Sequence, residues 1–404
     1  MFSTASTSSL KAAAVGFGAF ALALLVGTTG CGEKKFKGAM ILSGQKVSSE
    51  KLEHGHEVYV HYCRACHGEN GDGQGASVAM GLRPPPRDFR AGQFKFGSIA
   101  GGLPSDEDFR RIIRFGLRGT AMLPWDIEDN DLDAVIQYIK TFSPRWQPPK
   151  FKQGAAVVPG EPGKPHPDPW IGARETEGVA RGQYIYHQKA QCGSCHPNYV
   201  TRNELSSFSM KDTGAPATEF RDDMYGSVLK ESQYKLGATI DAKGDYVGGY
   251  PIKLLPPDFT RDDVRSVRLF SKETALEDLY RVIAGGINGT PMPQWKGTVF
   301  EPGHDSDDDI WALVHYVYGL IKLKGTPAAI QLRLQLGGQP AWVPPVPAEP
   351  EPVKPPETTG ASSFDGPGAA SASAAAAQSA IAPPEASNSG APAAPSANKP
   401  APAK

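Results

Sequence analysis

The sequence predicts an all-α fold of two tandem helical domains, followed by a disordered tail rich in proline and alanine. Three observations carry this prediction. Apolar residues recur at helical spacing, the second half of the chain repeats the first, and residues from about 343 onward are almost wholly Pro, Ala, Ser, Glu and Gly. The chain has 404 residues, enough for two or three domains of ordinary size.

The internal repeat is visible in residues that keep one spacing. Met122 follows Asp88 at the same interval in the sequence as Met292 follows Asp258. Further residues match at this same shift, namely Gly116, Gly119, Thr120 and Trp125 with Gly286, Gly289, Thr290 and Trp295. A register held without a gap over this span predicts two domains of the same fold.

Each repeat has the apolar spacing of helices on both sides of its methionine. Before the methionine, a short apolar stripe ends at Gly116 or Gly286, and glycine ends many helices. After it, apolar residues recur at i, i+3, i+4 and i+7 over residues 132–139 and 310–317. Aspartates begin both later helices and are expected to cap their first turns. A third helix is expected before each cysteine pair.

Composition places the domain boundaries. The first domain is predicted over residues 51–146 and the second over residues 175–325. The linker between them, residues 147–174, is rich in proline and glycine. Residues 326–404 form a tail that we expect to be disordered from about residue 343, because it buries too little apolar surface to offset its ordering entropy.

The second domain carries an insertion. The segment that joins His196 to Asp258 is far longer than the segment that joins His67 to Asp88. The additional residues fall within about 197–251 and are rich in Gly, Asp, Lys and Tyr. We therefore expect this part of the chain to be a long surface loop.

The N-terminus has the features of an export signal, predicted over residues 1–30. Lys11 supplies a positive charge, residues 12–26 are apolar, and small residues precede Cys31. This arrangement resembles the lipobox of bacterial lipoproteins, which makes Cys31 the expected lipid attachment site and residues 31–50 a lipid-anchored tether. The alternative is an uncleaved N-terminal transmembrane helix. Both interpretations place the remaining chain on the periplasmic side of a bacterial membrane.

The charge balance excludes one class of partner. The chain has 42 basic and 43 acidic side chains. Proteins that bind nucleic acid usually have a net excess of basic residues. We therefore expect no nucleic acid partner.

Four of the five cysteines lie in two Cys-x-x-Cys-His motifs. In such a motif the two thiols add to the vinyl groups of haem, and the adjacent histidine binds the iron. A zinc site would need the two cysteine pairs to converge, and a redox dithiol does not need the histidine. The motifs predict two haem c groups with these covalent and axial residues: Cys63, Cys66 and His67, and Cys192, Cys195 and His196.

Met122 and Met292 are the predicted second axial ligands. Each lies in a Gly-Thr-x-Met loop between two predicted helices. A thioether is a soft, neutral ligand that raises the reduction potential of the iron. The alternative is that each methionine only fills the core.

Helix, Cys-x-x-Cys-His, proline-containing loop, helix, methionine loop and helix follow one another twice, and this order resembles class I cytochrome c. The resemblance implies low-spin His/Met iron in each domain. Together with the expected lipid anchor, it predicts a tandem di-haem cytochrome c lipoprotein. It also implies that the carbonyl of Pro86, and its equivalent Pro256, accepts the N–H of the proximal histidine. Pro84 and Pro85 compete with Pro86 for this role.

The predicted function is transfer of single electrons between respiratory redox partner proteins, with no enzymatic activity. One alternative is a haem enzyme such as a di-haem peroxidase, which would need an open iron position. Another is a dedicated cytochrome subunit of a respiratory complex. An arginine run beside the Met122 loop is either a solvated helix face or a docking patch for an acidic partner, and it comprises Arg110, Arg111, Arg114 and Arg118.

Overall fold

Helices dominate the computed structural model, which describes residues 34–97, 103–150, 167–217 and 219–338. The predicted signal peptide, Cys31, the middle of the linker and the tail beyond residue 338 lie outside the described residues. No helix in the described ranges is long and apolar enough to cross a membrane. The described residues all belong to one unit of the chain, Met1–Val346.

The first repeat contains the helices that the apolar spacing predicts. They are α1 (Ser49–Tyr62), the short α2 (Arg64–His67), α3 (Asp106–Phe115) and α4 (Asp129–Thr141). Gly116 ends α3, as predicted. The expected aspartate cap of α4 is not formed, since Glu128 occupies the N-cap position without a side-chain hydrogen bond.

The second repeat has counterparts of α1, α3 and α4 and two further α-helices, and the counterpart of α2 is a 3-10 turn, Cys192–Ser194. The α-helices are α5 (Glu175–Tyr184), α6 (Arg202–Thr213), α7 (Lys272–Gly285), α8 (Ser306–Leu323) and α9 (Pro327–Gly337). A π-helical turn, Ile185–Lys189, extends α5. At the start of α8 the Asp305 carboxylate accepts from the Asp307 N–H, as predicted for a capping aspartate.

In both repeats, the helix before the cysteine motif and the helix after the methionine loop cross closely. A Cβ atom at Gly55 would lie 2.2 Å from the carbonyl oxygen of Ala134, and one at Gly182 would lie 2.0 Å from that of Ala312. Neither position has room for a side chain. Glycine is therefore required where α1 meets α4 and where α5 meets α8.

The all-α prediction misses a hairpin before α1. Strand β1 (Met40–Leu42) pairs antiparallel with β2 (Gln45–Val47). Ser43 and Gly44 both have positive φ angles, 52° and 75°, as the two central residues of a type I′ hairpin turn require. Because Leu42 and Val47 are buried in the core of the first repeat, this part of the predicted 31–50 tether is folded onto the domain.

The insertion is also more ordered than the predicted surface loop. It contains α6 and two further antiparallel pairs: β3 (Lys230–Leu236) with β6 (Tyr250–Leu254), and β4 (Thr239–Ile240) with β5 (Tyr246–Val247). Met224 and Tyr234 are almost fully buried.

The second repeat extends past both of its predicted boundaries. Trp170, assigned to the linker, packs in its core and donates its indole N–H to the Asp308 carbonyl at 2.7 Å. Beyond residue 325, helix α9 buries Ala329 and Leu336. Apolar contacts distant in sequence therefore order residues that local composition assigned to a linker and a tail.

The two repeats contact each other with local two-fold symmetry. The Arg118 N–H donates to the Arg265 carbonyl at 3.0 Å, and the Asn288 N–H donates to the Lys95 carbonyl at 3.2 Å. Residues 118 and 288 are equivalent in the repeat, as are 95 and 265. Each methionine loop thus binds the other repeat through matching backbone groups, as in an isologous interface.

A buried ion cluster lies in the same interface. Asp278 is fully buried and lies 3.5 Å from Arg111 of the first repeat. Arg268 and Arg281 of the second repeat lie 2.7 and 2.8 Å from it. Asp108, the equivalent of Asp278, is also buried and lies 3.5 Å from Arg111. Charges that are buried at this depth require such partners.

Candidate haem sites

One helical turn presents the three side chains of each Cys-x-x-Cys-His motif. In the first repeat the His67 N–H donates to the Cys63 carbonyl at 2.9 Å. In the second, the His196 N–H donates to the Cys192 carbonyl at the same distance. Both pairs of cysteines are unbridged and half-buried. The same backbone hydrogen bond therefore closes both motifs, although the first turn is α-helical and the second is 3-10 helical.

The approach to the second motif differs by two residues. Cys63 follows Gly55 by eight residues, whereas Cys192 follows Gly182 by ten. The π-helical turn Ile185–Lys189 accommodates part of the added length, since a π turn holds more residues than an α turn. Gln191 then takes a left-handed conformation, with a φ angle of 48°, just before the cysteine.

A buried tyrosine fixes the end of each motif. The Tyr59 hydroxyl donates to the Gly68 carbonyl at 2.7 Å. The Tyr186 hydroxyl donates to the Pro197 carbonyl at 3.0 Å. In each case the acceptor is the residue directly after the motif histidine, so the same hydrogen bond anchors the end of both motifs.

The two histidines have matching partners. His67 donates from Nδ1 to the Arg87 carbonyl at 3.2 Å, and His196 donates from Nδ1 to the Pro257 carbonyl at 3.0 Å. Since Nδ1 carries the proton, Nε2 keeps the lone pair that can bind iron. The expectation of Pro86 and Pro256 as acceptors is wrong by one residue in each repeat, because the residue directly before the Asp-Phe pair supplies the carbonyl.

A phenylalanine stacks on each histidine ring. The ring centroids of His67 and Phe89 are 4.4 Å apart and those of His196 and Phe259 are 4.9 Å apart, and both pairs are 18° from parallel. The hydrogen bond and the stacked ring together fix the orientation of each imidazole. The Asp-Phe pairs that established the repeat register thus have a direct structural role.

Burial keeps both imidazoles in the neutral form that binds metal. It lowers the pKa of His67 to about 4 and also lowers the pKa of His196, despite the hydrogen bonds to backbone carbonyls. At neutral pH neither ring must lose a proton before it ligates.

The first cysteine of each motif does not have the lowered thiol pKa of a reactive dithiol. Burial raises the pKa of the Cys63 and Cys192 thiols to about 12, whereas reactive thiols have lowered pKa values. Among the described residues, no group of three or more His, Cys, Asp or Glu side chains is arranged to hold a metal ion. The two cysteine pairs therefore lack the convergence that a zinc site needs.

The two methionine loops contain the same side-chain hydrogen bonds. The Thr120 hydroxyl donates to the Leu117 carbonyl at 2.8 Å and accepts from the Met122 N–H at 3.1 Å. The Thr290 hydroxyl donates to the Ile287 carbonyl at 2.7 Å and accepts from the Met292 N–H at 3.2 Å. The threonine of the Gly-Thr-x-Met pattern thus orders the backbone that presents each methionine.

A cavity brings the predicted site residues of the second repeat together. It has a volume of about 1490 Å³ and continues into the cleft between the repeats. Cys192, Cys195, His196 and Met292 all line it. Its other walls include aliphatic side chains from α7 and α8, namely Leu279, Val282, Ile283, Leu313 and Val317. Two thiols, an imidazole and a thioether around an apolar cavity form a donor set that fits haem c.

In the first repeat, three of the predicted site residues contact one hydrophobic core. Cys63 and Met122 both pack, partly buried, against the core of this repeat. Phe89, which stacks on His67, belongs to that core as well.

The arginine run beside the Met122 loop is neutralised by carboxylates within the structure. Arg111 is buried in the interface between the repeats, and the other three arginines lie on the surface in ion pairs. The pairs are Arg110 with Asp133, Arg111 with Asp108 and Asp278, Arg114 with Asp129, and Arg118 with Asp263. This pairing disfavours a free basic patch for an acidic partner.

Residues 50–139 match the family model described as cytochrome C oxidase, cbb3-type, subunit III. This stretch includes the first Cys-x-x-Cys-His motif and the Met122 loop. It forms a cytochrome c domain. The match supports a c-type cytochrome, and such a domain implies haem c.

A solved chain from the Kuenenia stuttgartiensis reducing HAO-like protein complex is similar to this one at 27% sequence identity. The similarity covers 67% of this chain and 96% of that chain, with a TM-score of 0.43. Among curated protein sequences, none matches the chain.

Proposed function

We propose that this c-type cytochrome binds two haem c groups and carries single electrons between redox partner proteins on the periplasmic side of a bacterial membrane. The observation that carries the proposal is the duplicated site. In each repeat the motif histidine donates its Nδ1–H to a backbone carbonyl and stacks on a phenylalanine. Each repeat also has a methionine loop in which a threonine hydroxyl accepts from the methionine N–H.

The roles of the residues follow from their chemistry. Cys63 and Cys66 would hold one haem through thioethers, and Cys192 and Cys195 the other. His67 and Met122, and likewise His196 and Met292, are the proposed axial ligand pairs. Bound haem would supply a reversible one-electron couple at each site.

The protein groups make each site suited to electron transfer rather than to substrate binding. A neutral imidazole and a neutral thioether would ligate the iron of each haem, which would favour the low-spin state and raise the reduction potential. The hydrogen bonds and stacked rings hold the imidazoles in place, so little rearrangement accompanies a change of charge. A di-haem peroxidase would need one open position, and the paired methionine loops argue against one.

The proposed membrane attachment rests on the sequence alone. We propose that Cys31 carries the lipid and that residues 1–30 are removed. Mass spectrometry of the N-terminal peptide from protein made in a bacterial host tests this. A diacylated Cys31 supports it, whereas an intact N-terminus or an unmodified Cys31 contradicts it.

A second candidate function is a dedicated subunit of a respiratory complex. The description of the matching family, a subunit of a cytochrome oxidase, favours it. It keeps the same haem chemistry and changes only the partner. Native gel electrophoresis of gently solubilised membranes, stained for haem, distinguishes the two. A band only at the mass of the free chain contradicts the subunit role.

An optical redox titration of the purified holoprotein, with a haem assay per chain, tests the proposed function. We expect two haem c groups per chain, two reversible one-electron waves and low-spin spectra in both oxidation states. One haem per chain, a high-spin resting iron, or rapid turnover of hydrogen peroxide would contradict a simple carrier.

A further inference from the structure

Tyr234 lies between the two candidate haem sites. It belongs to β3 of the insertion, which the first repeat lacks, and its side chain is only 2% exposed. A buried aromatic ring on a segment expected to be a surface loop requires an explanation. Its contacts reach the residues that orient a ligand in each repeat.

On one side, Tyr234 contacts an arginine of the first site. The Arg87 guanidinium carbon lies 3.8 Å from the centroid of the tyrosine ring, within the range of a cation–π contact. The backbone carbonyl of this same arginine accepts the Nδ1–H of His67. A second cation, Lys95, lies 5.5 Å from the centroid. The ring therefore holds the side chain of the residue whose backbone carbonyl orients His67.

On the other side, Tyr234 faces the methionine loop of the second site. Its hydroxyl donates to the Asn288 carbonyl at 2.7 Å, and the neighbouring Gln233 N–H donates to the Gly289 carbonyl at 2.9 Å. A Cβ atom at Gly289 would lie 2.8 Å from the ring. Burial raises the pKa of the Tyr234 hydroxyl to about 12, so it remains a donor at neutral pH. The loop carrying Met292 thus rests directly on this tyrosine.

The methionine loop of the first repeat makes a different contact with the second repeat. Gly119, which matches Gly289, faces the Asp263 carboxylate instead, and a Cβ atom there would lie 3.1 Å from it. An aromatic ring thus packs against the glycine of one methionine loop and a carboxylate against the glycine of the other. Since the same ring also touches the arginine beside His67, the link between the sites is asymmetric.

We propose that Tyr234 is a positioning residue shared by both sites, holding Arg87 beside His67 and the Met292 loop at once, so that one side chain sets both reduction potentials. This inference rests on the proposed function, since it assumes that both sites hold haem. Partners of a metal ligand tune the metal by fixing the geometry of that ligand. Removal of the ring leaves space into which Arg87 and the loop both relax.

The test compares Tyr234→Ala, Tyr234→Phe and Tyr250→Ala by redox titration of the holoprotein. Tyr250 is the matched control, because it lies on the paired strand β6 and is 82% exposed. The two waves are assigned in a Met122→His variant, whose own wave moves to lower potential.

We expect Tyr234→Ala to shift both waves, each by about tenfold in its reduction equilibrium, which is about 59 mV for one electron. Tyr234→Phe keeps the ring on Arg87 and loses only the hydrogen bond to Asn288, so it should shift the wave of the second site alone. Tyr250→Ala should shift neither.

Unchanged waves in Tyr234→Ala, or a shift of only one of its two waves, overturn the shared role. If Tyr234→Ala does not fold, Tyr234→Leu, which removes the ring but keeps an apolar side chain, replaces it. A shift of both waves in that variant supports the proposal, and a shift of one wave or of neither overturns it. Wild-type protein without two reversible waves contradicts the proposed function itself, a result distinct from normal wild-type waves that the variants leave unchanged.

Discussion

The two repeats place the same groups around their histidines but connect them with very different lengths of chain. The segment from His196 to Asp258 contains the insertion, whereas the segment from His67 to Asp88 does not. Despite this, the two Nδ1 hydrogen bonds are 3.2 and 3.0 Å long, and the two stacked rings have equal tilts. The site geometry therefore depends on helix packing and short local contacts and is insensitive to the length of the intervening loop.

The added chain in the second repeat contributes to the interface instead. Its β3 strand places Tyr234 between the repeats, and its β4–β5 hairpin brings Asp245 to within 2.7 Å of Arg145 in the first repeat. One repeat is thus specialised for contact with the other, while both retain the site. We expect three sets of substitutions to affect stability, most at the buried ion cluster, less at His187 and least at the helix crossings.

Asp278→Asn should destabilise the protein most, because it removes the carboxylate on which Arg111, Arg268 and Arg281 converge. Breaking a buried ion pair on one side typically costs about 3–5 kcal/mol. Denaturant unfolding of the holoprotein measures the loss. Asp126→Asn is the matched control, since Asp126 is fully exposed beside Arg114 and should change stability by less than about 0.5 kcal/mol. Equal effects of the two would contradict a structural role for the buried cluster.

His187 should add acid sensitivity to the second repeat at a position where the first repeat has no histidine. It is buried, with Nδ1–H donating to Asn198 and Nε2 accepting from the Tyr316 hydroxyl, both at 3.1 Å. The equivalent position in the first repeat is Val60. Burial lowers the pKa of His187 from 6.5 to about 4, so the folded state binds fewer protons than the unfolded state in this range.

The stability contributed by neutral His187 should therefore be complete above pH 6.5 and be lost as the pH falls towards 4, by about 3 kcal/mol. The free energy of unfolding, measured across this range, should fall less steeply in His187→Gln. His61→Gln at an exposed position serves as control. If both variants keep the wild-type slope, His187 is not the source of acid sensitivity.

Alanine at either helix-crossing glycine should destabilise its own repeat. Gly55→Ala would place a methyl group 2.2 Å from a carbonyl oxygen, and Gly182→Ala would place one 2.0 Å from another. Overpacking of this kind costs about 1–3 kcal/mol. Gly319→Ala, in α8 with no atom within 4 Å of the added methyl group, should instead stabilise by up to about 1 kcal/mol. Thermal unfolding of the three variants checks the signs. Destabilisation by Gly319→Ala of the same size would show that the close crossings are not what the first two variants disturb.

The features that the sequence predicts well are the local ones. The helices follow from apolar spacing, and the matching loops follow from the repeat register. The repeat register could also have identified the carbonyls that accept from the two histidines, those of Arg87 and Pro257, because each residue directly precedes an Asp-Phe pair. The resemblance to class I cytochrome c instead indicated the residue before each of them.

Non-local features could not be predicted in this way. The β1–β2 hairpin depends on a core that Trp146 completes, and the Ser43 N–H donates to the carbonyl of Trp146, which is distant in the sequence. The ion cluster at Asp278 joins charges from both repeats. A charged helix residue has the same local pattern whether it faces solvent or a neighbouring domain, so its burial emerges only from the packing.

The most direct test of the central claim, two equivalent His/Met sites, is the methionine-to-iron absorption band of the oxidised holoprotein. Met122→Ala and Met292→Ala should each remove about half of its intensity and leave one iron high-spin, and the double variant should remove it entirely. A single variant that keeps the full band, or one that alone abolishes it, would contradict two equivalent sites.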